Sequence, residues 1–177
     1  ARPASAADAR LSTIWEAGHQ KENRGDVAGA SAEYAKGLEL AERQKDRRSV
    51  AVFHKQLGKL YSNTGDYSRA LESFQRAAAL IHAVGDRSLE ADVIRDVGTA
   101  YFNMGDFPKA VKQFEEALQL CRNVGDRSGE ASALLSMGNI MMQRDLTRAL
   151  EYYTQALAIF REIGDKRLKG VVLGSLG

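Results

Sequence analysis

Apolar residues recur at intervals of three and four through residues 47–64, as Val50, His54, Leu57, Gly58 and Tyr61, until Gly65 and Asp66 interrupt them. That spacing predicts a helix. Residues 67–84 carry the same period in Tyr67, Ala70, Leu71, Phe74, Ala77, Ala78 and Ile81, and Gly85-Asp86 closes this second segment. The pair then repeats. Gly-Asp stands at 25–26, 65–66 and 105–106, at steps of 40, and a second aspartate series, Asp46, Asp86, Asp126 and Asp165, falls between them. A glycine just past a helix takes the left-handed conformation, and an aspartate beside it accepts backbone N–H bonds at the next helix start. Turns this short make consecutive helices antiparallel neighbours. The start of the first helix reads as a capping box at Ser5-Ala6-Ala7-Asp8, with Ala1 to Ala4 as a frayed tail, and Pro108 is expected in the first turn of its helix.

Overlaying the periods aligns Gly18, Gly58, Gly98 and Gly138 in mid-helix, where glycine costs about 1 kcal/mol against alanine. Four such costs imply a packing role. On the second helices the small residues Ala30, Ala70, Ala110 and Ala149 alternate with Tyr34, Phe74, Phe114 and Tyr153. The expectation is that these small residues stand opposite the glycines and let the backbones approach, and that aromatics fill the wedge between pairs. The fourth period departs: Gly138 to Asp145 is one residue shorter than Gly98 to Asp106, Arg144 replaces the turn glycine, and Met141 and Met142 replace Tyr101 and Phe102. A softer core is expected there. Leu173 to Gly177 matches the first half of another opening helix, so the chain is expected either to continue past residue 177 or to bind something at this edge, continuation being the first expectation.

Composition agrees with helices: two prolines among 177 residues, 44% hydrophobic, 27% charged and 7% aromatic. A net charge of +2 gives neither the basic stripe of a nucleic-acid binder nor a polybasic membrane anchor. Cys121 is the single cysteine, which excludes an intrachain disulfide and points to a reducing, cytoplasmic compartment. No apolar run approaches membrane-spanning length.

The run Leu57-Gly58, Tyr61, Gly65-Asp66-Tyr67, Ala70, Phe74 and Ala77, repeated as Val97-Gly98, Tyr101, Gly105-Asp106-Phe107, Ala110, Phe114 and Ala117, resembles the tetratricopeptide repeat. The period of 40 exceeds the usual length of about 34 by roughly one and a half helical turns per pair. Long periods with Gly85-Asp86-Arg87 and Glu90, and Gly125-Asp126-Arg127 and Glu130, look like scaffolds of the LGN/Pins type. The resemblance implies an all-α, right-handed α-solenoid over residues 1–177. Its repeats fall at about 6–45, 46–85, 86–125 and 126–164, with 165–177 as a partial fifth opening helix.

In this family the opening helices line an inner groove, which implies a non-catalytic scaffold holding an extended or helical peptide of a partner. The register selects three stripes at i, i+4 and i+8: Trp15, Lys55, Arg95, Leu135; then His19, Lys59, Thr99, Asn139; then Asn23, Asn63, Asn103, Gln143. Carboxamides suit a peptide main chain, Lys55, Lys59 and Arg95 suit acidic side chains, and Phe102 and Met142 add apolar contact. The clamp that related co-chaperones use for a C-terminal carboxylate is not expected, because Asp92 and Asp96 stand on the next helix and repel one. A reading from another class is a self-assembling module that oligomerises through its C-terminal edge. No catalytic, cofactor or metal constellation is expected: His19, His54 and His82 fall on different helices, and Cys121 reads as a buried, inert thiol.

Overall fold

The computed structural model describes residues 6–142 and 144–164, and it is helical wherever the apolar period is. Eight helices are present among the described residues: α1 (Ala6–Asn23), α2 (Val27–Arg43), α3 (Arg47–Asn63), α4 (Tyr67–Val84), α5 (Arg87–Asn103), α6 (Phe107–Val124), α7 (Arg127–Met141) and α8 (Leu146–Glu162). The side chains of the capping-box sequence, the residue Gln143 and the partial fifth opening helix lie outside the described residues, as does the edge on which self-assembly was expected.

Each turn is built as its residues require. Gly65 and Gly105 take φ of 81° and 78°, a region closed to most side chains. The amides of Asp66 and Asp106 then reach back to the carbonyls of Tyr61 and Tyr101, each at 2.9 Å. Their carboxylates accept from the backbone N–H of Arg69 (3.1 Å) and Lys109 (3.2 Å), which caps the following helix. Pro108 stands in the first turn of α6, where no N–H is needed. The shortened fourth turn closes differently. The Asp145 amide bonds the Met141 carbonyl at 2.8 Å, and Asp145 is extended, with φ of −151°. The missing residue is absorbed by straightening the cap, whose carboxylate still accepts from the Arg148 amide at 3.0 Å.

Two compact units result, residues 1–86 and 87–177. In the first, α1 packs on α2, α2 on α3 and α3 on α4, while α1 also touches α3. The second repeats this order with α5 to α8, and α5 touches α7. Tyr34, Phe53 and Leu60 are core residues of the first unit; Phe114, Leu134, Tyr153 and Phe160 are core residues of the second. Burial of such side chains is the main stabilising term, about 1.5–3 kcal/mol each.

What stands against each recurrent glycine is the aromatic of its own pair, and not the small residue expected there, because the ring needs the space that a missing side chain leaves. A β-carbon on Gly58 would stand 2.6 Å from the Phe74 ring, one on Gly98 2.8 Å from Phe114 and one on Gly138 2.6 Å from Tyr153. The Gly18 site is closed by Tyr34 in the same way. Opening and closing helices of a pair therefore approach as close as a ring against bare backbone allows. Met141 and Met142 are half-buried against the second core, in place of the half-buried Tyr101 and Phe102 one repeat earlier.

Candidate partner-binding site

Because α1 touches α3 and α5 touches α7, each unit lays two opening helices side by side, and the predicted stripes run along them. In the second unit Thr99, Phe102 and Asn103 from the end of α5 join Ser136 and Asn139 of α7 around a cleft of about 170 Å³ that Phe114 also lines. Four of the expected residues are thus brought together. The Asn139 side-chain oxygen accepts from the Tyr153 hydroxyl at 2.9 Å, which fixes the carboxamide and leaves its NH₂ as donor. The Thr99 hydroxyl donates to the Arg95 carbonyl at 3.1 Å, and Phe102 packs tilted on Phe107 with centroids 5.7 Å apart. Asn103 is exposed.

The other expected residues are placed less uniformly. Arg95 holds Asp92 at 2.7 Å on its own helix and is largely covered, so its charge is already matched. Met142 caps α7 and is half-buried. Lys59 and Asn63 are exposed on α3 of the first unit, and Lys55 on the same helix is half-buried. Trp15 stacks on His19 with centroids 5.1 Å apart and lines a cleft of about 360 Å³ with Leu11, Val52, Phe53, Glu16 and Arg48.

Cys121 is buried, and its thiol lies 3.8 Å from Asp126 Oδ2. Burial first, and the Asp126 carboxylate next, push its pKa up to about 11, so it stays a protonated thiol at neutral pH. Among the described residues no three His, Cys, Asp or Glu side chains stand together so as to hold a metal ion, and no helix is long and apolar enough to cross a membrane.

One cleft carried no signal in the helical period alone. About 590 Å³ of space opens between α2, α3 and α4, lined by Lys45, Arg47, His54, Arg76 and Leu80 among others. The apolar rhythm counts His54 as one more core position. Comparison of each position with its counterparts in the other repeats is the signal that separates it.

Residues 89–162 match a family model described as tetratricopeptide repeat, and residues 54–88 match a second of the same description. No curated protein matches the chain in sequence. Among solved structures, BtubC (BKLC) from P. vanneervenii is similar over 98% of this chain and 85% of its own, at 17% identity and a TM-score of 0.71. The apo form of RapI is similar over 94% of this chain and 61% of its own, at 14% identity and a TM-score of 0.80. The N-terminal domain of stress-induced protein-1 from C. elegans is similar over 74% of this chain and 98% of its own, at 24% identity and a TM-score of 0.56. Likeness at these identities shows the fold, an all-α solenoid of helix pairs.

Proposed function

We propose that this chain, which belongs to the tetratricopeptide repeat proteins and so to a class of protein-interaction scaffolds, holds a peptide segment of a partner against the opening-helix face of its units, without catalysis. The observation that supports this most directly is the convergence of Thr99, Phe102, Asn103 and Asn139 on one cleft. An exposed carboxamide and the free NH₂ of a second, fixed one offer donors and an acceptor to a peptide main chain, and the ring offers an apolar stop. Exposed Lys59 on α3 favours an acidic partner. The long-period, LGN/Pins-like character, a protein rather than nucleic-acid or membrane partner, and a cytoplasmic setting in which Cys121 stays reduced all belong to this reading.

A photo-crosslinking residue at position 103, introduced in the native host, is expected to capture a protein partner, whereas one at exposed Gln75 on the closing helix α4 is not. For the partner so captured, Asn103→Ala is expected to weaken binding by about two- to tenfold, the worth of one or two neutral hydrogen bonds, with helicity unchanged. Equal affinity of parent and variant in calorimetric titration removes the amide cleft from the account.

A further inference from the structure

Around the turn from α2 to α3, four of the positions at which this repeat departs from its counterparts line the cleft between α2, α3 and α4. Lys45 takes a left-handed φ of 56° where Gly85, Gly125 and Gly164 stand in the equivalent turns. Val50 replaces Glu90 and Glu130, the carboxylates that pair with Arg87 and Arg127 at 2.6 Å. Arg47, the counterpart of those arginines, therefore has no ion pair among the described residues, and neither has Lys45. His54 occupies the place of Ile14, Ile94 and Leu134, and Glu42 that of His82, Arg122 and Arg161. Lys45 and His54 replace residues that fit the turn and the core better, which stacking alone does not favour, while Val50 joins the core and removes the partner that Arg47 would have.

His54 is the strongest of the four. Only 7% of it is exposed, it lines the cleft, and its ring has no hydrogen-bond partner among the described residues. As a lining residue it presents an imidazole, a donor and an acceptor, to whatever enters the cleft. Burial first, then the Arg76 guanidinium from α4, hold its pKa below the usual histidine value, against weaker opposing effects of Glu42 on α2 and Glu72 on α4. Around it Lys45, Arg47 and Arg76 outnumber the one lining carboxylate, Glu42, although Arg76 also holds Glu72 at 2.7 Å. Val50, Ala79 and Leu80 give the same cleft an apolar wall.

We propose that this cleft is a second docking site, for an acidic and apolar segment of a protein partner, in which a carboxylate meets His54 and Arg47 while a neighbouring aliphatic side chain covers Val50 and Leu80. The site rests on the scaffold reading but uses none of the opening-helix stripe. A carboxylate beside His54 stabilises the imidazolium, so binding takes up a proton and tightens as pH falls through the histidine range, until the ligand's own carboxylates protonate.

The test is a nuclear magnetic resonance titration of the full chain with the blocked pentapeptide Leu-Glu-Leu-Glu-Leu, following backbone amides and the His54 ring. Saturable shifts at Lys45, His54 and Ala79 are expected, with a rise in the His54 pKa on saturation. The variant carrying Lys45→Gly, Val50→Glu and His54→Ile uses residues that the other repeats hold at the same places, so it should fold, and its affinity should fall at least tenfold. Arg76→Gln, which leaves the core untouched, should weaken binding less. Absence of saturable shifts in the parent, or undiminished affinity in the triple variant, overturns the site. Inorganic phosphate is the control: affinity equal to the peptide's marks an adventitious ion only. Shifts confined to Thr99, Phe102 and Asn103 discard this cleft while leaving the amide cleft standing, and the converse pattern does the opposite.

Discussion

At a mid-helix glycine two residue-level effects oppose each other. Helix propensity favours alanine at position 58 by about 1 kcal/mol, whereas the Phe74 ring occupies the space a β-carbon needs, 2.6 Å away. The ring is fully buried and has no room to retreat, so overpacking wins. Gly58→Ala is expected to lower stability by roughly 1–3 kcal/mol in chemical denaturation, and a gain in stability would show that the ring yields. Lys45 presents the reverse case, a side chain where glycine would be unstrained. Among the described residues, the outlier lies in a turn whose arginine lacks the glutamate that Arg87 and Arg127 have, and it lines the cleft.

Between elements, charge does what apolar packing leaves undone. Buried Glu130 at the start of α7 accepts from Arg122 of α6 at 2.9 Å and from Arg127 at 2.6 Å, and Arg127 extends to Glu162 at the end of α8. Three helices are tied by two carboxylates that share Arg127. Burial raises the Glu130 pKa, but the two arginines together lower it more, so its net position is below the ordinary glutamate value. A depressed folded pKa contributes stability above the unfolded carboxylate range, near 4.3, and loses it as pH falls through the depressed value. Both arginines are about two-fifths exposed, which discounts the pair. Glu130→Gln is expected to cost roughly 1 kcal/mol at neutral pH and progressively less below about pH 4, when thermal unfolding of parent and variant is compared. A pH-independent difference would assign the loss to packing. The cap carboxylates Asp66 and Asp106 act in the same direction: backbone and side-chain bonds from Arg69 hold the first below its usual pKa, and the Lys109 ammonium holds the second.

For the whole molecule, the division into two compact units has a measurable consequence. In stacked repeats, stability is a sum of unit terms and neighbour terms, so damage is felt most where it is made. Gly58→Ala is therefore expected to raise amide hydrogen exchange more in residues 6–86 than in residues 87–164; equal loss of protection throughout would mean that the chain opens as one body. The helices, their turns and a packing role for the mid-helix glycines were legible in the residues, because a helix needs only local periodicity and each turn repeats the same Gly-Asp chemistry at steps of 40; that the aromatics stand against those glycines was not. The candidate site was legible in part. The register brought Thr99, Phe102, Asn103 and Asn139 to one cleft, since residues in equivalent places on adjacent helices face the same way. It did not reveal that Arg95 is occupied by Asp92 or that Tyr153 fixes Asn139, because hydrogen-bond partners are chosen by packing distance and not by spacing along the chain. Local order is thus a property of the repeating text, set by backbone sterics and apolar period. Which polar groups are spent on the fold, and which, like His54, are left lining a cleft, was decided only when α2, α3 and α4 closed around them.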